Sequence, residues 1–478
     1  MRRRAAVITA LLLPAALAGL WTFRRGGPLQ APRRVQVVVA PSSDPGGLDA
    51  HQREGLRQLI ADHLEVLGGF SVLEGLPPDA SLPPGSLRLR VRATFWDSHL
   101  RLDPAWEGDR APSPGPSRPG TPDWAISELL RPLGVPGAPP GLLRPEDPAA
   151  CMELMGLLGR PVLDSTQEPA QRFERLAAAH PGCATVQYGL GGALYVATLH
   201  HPGERANGPR RAEEAFREGM KLLPGLPRGI RGYAFFAADT GRVREALEAS
   251  LGAVDAFPRS PTAAMTVAYP ARVSGLLDLA DRALRRQSRL TGLPGTMHTT
   301  TDNTRLYRGD IPGFAASLDL PQAGAQSALL DFYRGYARLL AGDRARALPY
   351  FRRALAGEAV VPGFLPLSRV YALALEGREA EALRELEDLA RSRQMVQVLD
   401  GELTFKVAEA YGFLDRPREA LELANRAATQ GFICLRWYET APFLAGARRL
   451  PYWATLRRHL QERQRMMEGL FPATRITP

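Results

Sequence analysis

The chain is 478 residues long, 45% hydrophobic and 23% charged, with a formal net charge of +10. That length supports two or three domains and a large total core, while three scattered cysteines (Cys151, Cys183 and Cys434) exclude a disulfide framework or a cysteine metal site and read as buried free thiols. Lys221 and Lys406 are the only lysines. The remaining basic charge is Arg interspersed with Glu along helices, the pattern of solvated, ion-paired faces rather than a phosphate-tracking stripe, so no nucleic acid is expected as a partner.

In chain order, 1–27 reads as a signal anchor or a signal peptide. Arg2, Arg3 and Arg4 precede an uncharged run from Ala5 to Phe23, which Arg24 and Arg25 close. As a helix this run would be roughly 28 Å long, the thickness of a bilayer core. Trp21 and Phe23 sit where interfacial aromatics belong, which favours a retained transmembrane helix. The alternative is cleavage at Ala16-Leu17-Ala18 and secretion. Either way the bulk of the chain is expected to be periplasmic or extracytoplasmic.

A small α/β domain is expected over 34–133. Val35–Ala40 reads as a buried strand and Leu48–Leu67 as a helix with an apolar face at Leu56, Leu59, Ile60 and Leu64. Phe70–Leu73 is a short strand, and Leu87–Phe95 alternates apolar residues with Arg88, Arg90, Arg92 and Thr94 as a half-exposed strand does. Ser98–Leu102 begins its hairpin partner. After the Pro/Gly/Ser-rich stretch Gly108–Pro122, Asp123 is expected to cap a helix running to Leu130. Residues 134–147 read as a linker, 148–450 as a helical repeat array, and 451–478 as a capping helix and tail.

The array announces itself by period. Ala212, Ala246, Ala280, Phe314, Ala347, Ala382 and Ala420 recur about every 34 residues. Five residues before most of them stands a turn residue: Gly241, Gly275, Gly309, Gly342, Gly377 and Asp415. Such a period marks a helical solenoid, in which each helix–turn–helix unit buries its apolar face only against its neighbours. The turn Gly, the small and aromatic residues that follow it (Ala347, Phe351 and Ala354 in one unit) and closing prolines such as Pro224 and Pro258 resemble the tetratricopeptide repeat (TPR). Phe314, where Ala is expected, and Arg338, where an aromatic is usual, depart from that pattern. The α/β segment is similar to the TolB amino-terminal-like domain in Val37–Pro41, the Asp44–Gly47 loop, Leu56–Leu67 and Phe70–Glu74, although it lacks that family's middle helix. That resemblance implies a protein-interaction module. An unrelated α/β sandwich would need no more sequence than this.

No catalytic constellation stands out. A Gly-x-x-x-x-Gly-Lys loop, His-Glu-x-x-His, Cys-x-x-Cys and Gly-x-Ser-x-Gly are all absent. Gly189-Leu190-Gly191-Gly192 is explained by small residues in a repeat helix, and adjacent His200-His201 puts two rings on different faces. Six residues before each turn Gly, however, stand Phe235, Tyr269, Asn303, Tyr336 and Tyr371. Phe235, Tyr269, Tyr336 and Tyr371 are therefore the expected partner-binding residues, aromatic rungs along a concave groove that suits an extended peptide or an amphipathic helix. The competing account packs these rings between repeats as core.

The sequence thus predicts a mostly α protein: a TPR-like α-solenoid preceded by a small α/β domain and an N-terminal transmembrane or signal helix. Its expected function is that of a non-enzymatic, membrane-associated scaffold binding a protein or peptide in its groove, with no cofactor and no metal. The alternative is a sensory or regulatory protein whose α/β domain binds a small ligand and whose solenoid relays it to partners.

Overall fold

The computed structural model describes residues 34–42, 47–74, 76–108, 111–113, 118–160, 166–201, 206–293, 303–319, 328–357, 363–394 and 400–478. The segment 1–27, parts of the Gly108–Pro122 stretch and the Met297–Thr301 loop lie outside the described residues. Among those described, no helix is long and apolar enough to cross a membrane.

The α/β region comprises β1 (Arg34–Ala40), α1 (Ala50–Val66), β2 (Ser71–Val72), β3 (Ser86–Trp96), β4 (His99–Glu107) and α2 (Pro122–Leu130). The sheet order is β2-β1-β3-β4; β1 pairs parallel with both neighbours and β4 antiparallel with β3. The hairpin turns at Asp97 and Ser98, both at positive φ. Asp49 starts α1 with a reciprocal capping box to Gln52. α2 is capped by Thr121, not by Asp123 as expected: the Thr121 hydroxyl accepts the Trp124 N–H, and Pro122 occupies the first helical position, where a missing N–H costs nothing. Asp123 is used elsewhere, pairing at 2.9 Å with the fully buried Arg144.

Within 134–147, Val135 and the stretch 143–145 are packed, while most of 136–140 is exposed. Arg144 also meets the His63 ring at 3.3 Å. The core under the sheet continues into α3 (Pro148–Leu158), through Cys151, Leu154 and Met155. Two glycines permit that approach. A Cβ on Gly55 of α1 would lie 1.8 Å from the Met155 carbonyl oxygen, and one on Gly159 would lie 1.8 Å from that of His51.

The array follows as antiparallel helix pairs. α4 (Glu168–Ala179) leads into α5 (Ala184–His200) and α6 (Gly208–Leu222). Next come α7 (Pro227–Asp239) with α8 (Val243–Ala256), then α9 (Pro261–Thr266) and α10 (Ala268–Val273) with α11 (Leu277–Thr291). α9 and α10 are one inner helix interrupted at Val267, three residues before Pro270, whose ring cannot accommodate the preceding turn. α12 (Asn303–Tyr307) pairs with α13 (Ile311–Leu318), α14 (Ala328–Leu340) with α15 (Arg344–Ala356), and α16 (Phe364–Leu375) with α17 (Glu379–Gln394). α18 (Gly401–Phe413) with α19 (Pro417–Thr429) completes the regular units, and α20 (Leu435–Thr440) and α21 (Trp453–Leu470) close the end.

The repeat period has a direct structural cause. Gly241, Gly275, Gly309, Gly342 and Gly377 all adopt φ between 78° and 84°, and Asp415 adopts 54°. The left-handed turn after each first helix is therefore obligatory, and glycine is the residue that adopts it without strain. Every member of the Ala column, Phe314 included, is 0% exposed. The chain is thus a TPR-like helical solenoid with a small α/β region ahead of it. All three cysteines are buried free thiols.

Candidate functional site on the inner face

The first helices of the units (α7, α10, α12, α14 and α16) form the inner wall. The solenoid winds tightly enough for its last regular unit to return to α7 and α10. The Asp400 N–H donates to the Asp239 carbonyl at 2.7 Å, and the Ile433 N–H to that of Val273 at 2.8 Å. α18 consequently lies against the inner wall, and every residue from Gly401 to Tyr411 is buried.

Three polar clusters line the contact between α18 and the wall, the first of them beside the N-terminus of α18. In the first, Asp239 accepts from the hydroxyls of Tyr195 and Tyr269. Burial, with Asp400 nearby, pushes the Asp239 carboxyl well above its ordinary range. In the second, Glu402 receives Arg272 at 3.3 Å, Asn303 Nδ2 at 2.8 Å and the Tyr307 hydroxyl. Burial alone would raise this carboxyl, but Arg272, the hydrogen bonds from Tyr307 and Asn303, and Lys406 together hold it below the ordinary value. In the third, the Lys406 ammonium donates to Glu409 at 2.8 Å and to the Tyr336 hydroxyl at 2.9 Å, and that hydroxyl donates to Glu409 at 2.6 Å. Lys406 also lies 4.2 Å from the centre of the Tyr336 ring and 5.6 Å from that of Trp437. A compact ammonium suits this cage, where a forked guanidinium would not find matching acceptors.

The four residues expected to bind a partner separate into two pairs. Tyr336 and Tyr371 are completely buried, 6.5 Å apart between ring centres, with Tyr371 edge-on to Phe413 of α18. The Tyr371 hydroxyl is buried without a hydrogen-bond partner among the described residues. Phe235 and Tyr269 stack at 4.6 Å, and the Arg272 guanidinium covers the Tyr269 ring at 5.1 Å. Phe235 is the most open of the four, at 40% exposure, and Tyr269 is partly buried. Asn303, on the same rung, ties Glu402 to Tyr333.

Sequence reasoning missed Glu402, Lys406 and Glu409. Glu409 stands six residues before Asp415, on the rung of the aromatics. The signal for Lys406 was its rarity, one of two lysines among many arginines. Among the described residues no group of His, Cys, Asp and Glu could hold a metal ion.

A second concavity lies in the α/β region. Between β4 and α2 is a cavity of about 350 Å³ lined by Trp106, Trp124, Arg118, Arg131 and Leu129 among others. Trp124 is 40% exposed, and the Trp106 indole N–H has no hydrogen-bond partner among the described residues.

No protein-family model matches the sequence, and no curated protein does. The tetratricopeptide and TolB-like resemblances therefore rest on the residues quoted above. Among solved structures, the chain is similar to the human IFIT1 dimer with m7Gppp-AAAA, at 12% identity and a TM-score of 0.38 over 67% of this chain and 82% of that one. It is also similar to the TPR domain of P58(IPK), at 12% identity and a TM-score of 0.21 over 64% of this chain and 94% of that one. At these scores the inner face is read from its own residues.

Proposed function

We propose that this chain is a non-enzymatic scaffold that captures a protein segment at the open stretch of its inner face, and that 1–27 ties it to a membrane with the bulk of the chain extracytoplasmic. The observation that carries the binding reading is Phe235. It is a large aromatic exposed on an inner helix and held rigid by its stack on Tyr269, so it offers contact area without losing rotamer freedom on binding. Tyr336 and Tyr371 contribute to the wall from within, where α18 already covers them. An extended segment or an amphipathic helix laid along α7 and α10 would meet the exposed ring first.

Proximity labelling from the full chain in intact cells, compared between the wild type and Phe235→Ala, tests this. A protein labelled by the wild type and lost in the variant, with helicity and melting temperature unchanged, supports the reading. An identical labelled set overturns it. Membrane association is tested separately by fractionation after alkaline washing, with and without 1–27.

The cavity beside Trp124 favours a second reading, in which the α/β region takes a small ligand and the array relays its occupancy. Its size falls at the lower end of small-molecule sites. Thermal stabilisation of the full chain by a panel of small anionic and aromatic compounds, abolished by Trp124→Ala, would support it. No stabilisation across the panel would count against it.

A further inference from the structure

The α/β region is docked onto the array through a shared apolar core, reaching Phe173, Leu176 and Val186, and through buried charge. Arg228 of α7 donates to Asp62 at 3.1 Å and to Glu74 at 2.6 Å, and Arg57 of α1 approaches Glu74 at 3.6 Å. Arg34 donates to the carbonyls of Leu290 and Arg289, and the Ser71 hydroxyl to that of Arg259. Within this joint Glu65, at the end of α1, differs from its neighbours. Its carboxyl is buried and accepts from two hydroxyls of the array: Ser260 at 2.7 Å and Thr262 at 3.2 Å. The nearest charged groups are Asp62 on its own helix, Glu74 after β2, and Arg228 on α7, whose two hydrogen bonds go to Asp62 and Glu74. Arg57 and Arg231 also face Glu74. The cations of the joint are thus committed to the other two carboxylates.

We infer that Glu65 is a proton latch between the α/β region and the repeat array: the docked joint holds this carboxyl neutral, and its ionisation releases the dock. Burial, reinforced by Glu74 and Asp62 and opposed by the Ser260 hydrogen bond and Arg228, raises its pKa from 4.5 to about 8. The sign follows. Below the ordinary carboxyl range both docked and undocked forms carry the proton, and pH has no effect through this group. Between that range and about 8 the undocked form ionises while the docked form does not, so each rise in pH favours opening. His63, the neighbouring titratable ring, is held down to about 4 by burial and by Arg144, so it does not titrate in this window.

The test is hydrogen exchange of the full chain between pH 6 and 8, corrected for intrinsic exchange rate. Amides of β2, the end of α1 and α9 are expected to lose protection by about tenfold per pH unit, while those of α14 to α19 do not. In Glu65→Gln, which keeps an acceptor for Ser260 and Thr262 without a charge, the joint should become independent of pH. Wild-type protection that stays flat across this range overturns the inference whether or not the variant folds. So does the same slope in Glu65→Gln.

Discussion

Two regions of this molecule bury charge, and they do so on opposite terms. Where α18 closes the inner face, each carboxylate that carries charge has a cation in contact: Glu409 has Lys406 and Glu402 has Arg272. At the joint between the α/β region and the array, Arg228 serves Asp62 and Glu74, and Glu65 is left with hydroxyls. The difference separates two uses of buried polarity. The closure pairs Glu402 and Glu409 with cations, while Asp239 beside it rests on two tyrosine hydroxyls and is raised by burial. At the joint burial raises both Asp62 and Glu65, and Glu65, bonded only to hydroxyls, is the one held by a proton. Burying a charge pair seldom adds net stability over an apolar pair, but breaking one is severe, so the closure specifies a winding rather than strengthening it.

The largest expected effect tests whether the aromatic rungs belong to the closure. Tyr336→Ala with Tyr371→Ala removes two fully buried rings, each costing about 3–5 kcal/mol. Equilibrium denaturation should show a drop of many degrees in melting temperature, and an unchanged midpoint would return these rings to an open groove. Lys406→Met should follow at about 3–5 kcal/mol, because Glu409 is then buried without its cation. Raising the pH should deepen that loss as Glu409 ionises.

At the joint the sign reverses. Glu65→Gln should stabilise the protein at pH 9 by several kcal/mol at most, since its carboxyl is raised from 4.5 to about 8 at roughly 1.4 kcal/mol per pH unit, and should do nothing at pH 4. Chemical denaturation at both pH values checks it. The smallest effects lie within the rungs themselves. Tyr371→Phe removes a buried hydroxyl that has no partner among the described residues and should be neutral or stabilising by about 1 kcal/mol, whereas Tyr336→Phe breaks the link from Lys406 to Glu409 and should cost about 1–2 kcal/mol. Equal melting shifts in the two variants would dissolve the distinction between them.

Much of this architecture was legible in one dimension. The turn glycines and the Ala column recur because backbone handedness and helix crossing distance are local demands, repeated with every unit. The alternation in Leu87–Phe95 marked a strand but not a wet face: Arg88 and Thr94 are buried and only Arg92 of its polar residues is exposed, because Gln36 and Glu107 receive Arg88. The cap of α2 was misread because Thr121 and Asp123 are both competent caps, and the choice was made by Arg144, twenty-one residues beyond Asp123, which claims the carboxylate.

The sequence by itself determined the helix pairs, their turns and the rung on which Phe235, Tyr269, Asn303, Tyr336, Tyr371 and Glu409 stand, because those depend on neighbours within about one period. Tertiary structure alone decided which of them face water. That depends on superhelical pitch, a small rotation per unit summed over the array, and the sum brings α18 over Tyr336 and Tyr371 while leaving Phe235 open. It also decided the company Glu65 keeps, since Ser260 and Thr262 are nearly two hundred residues away in sequence.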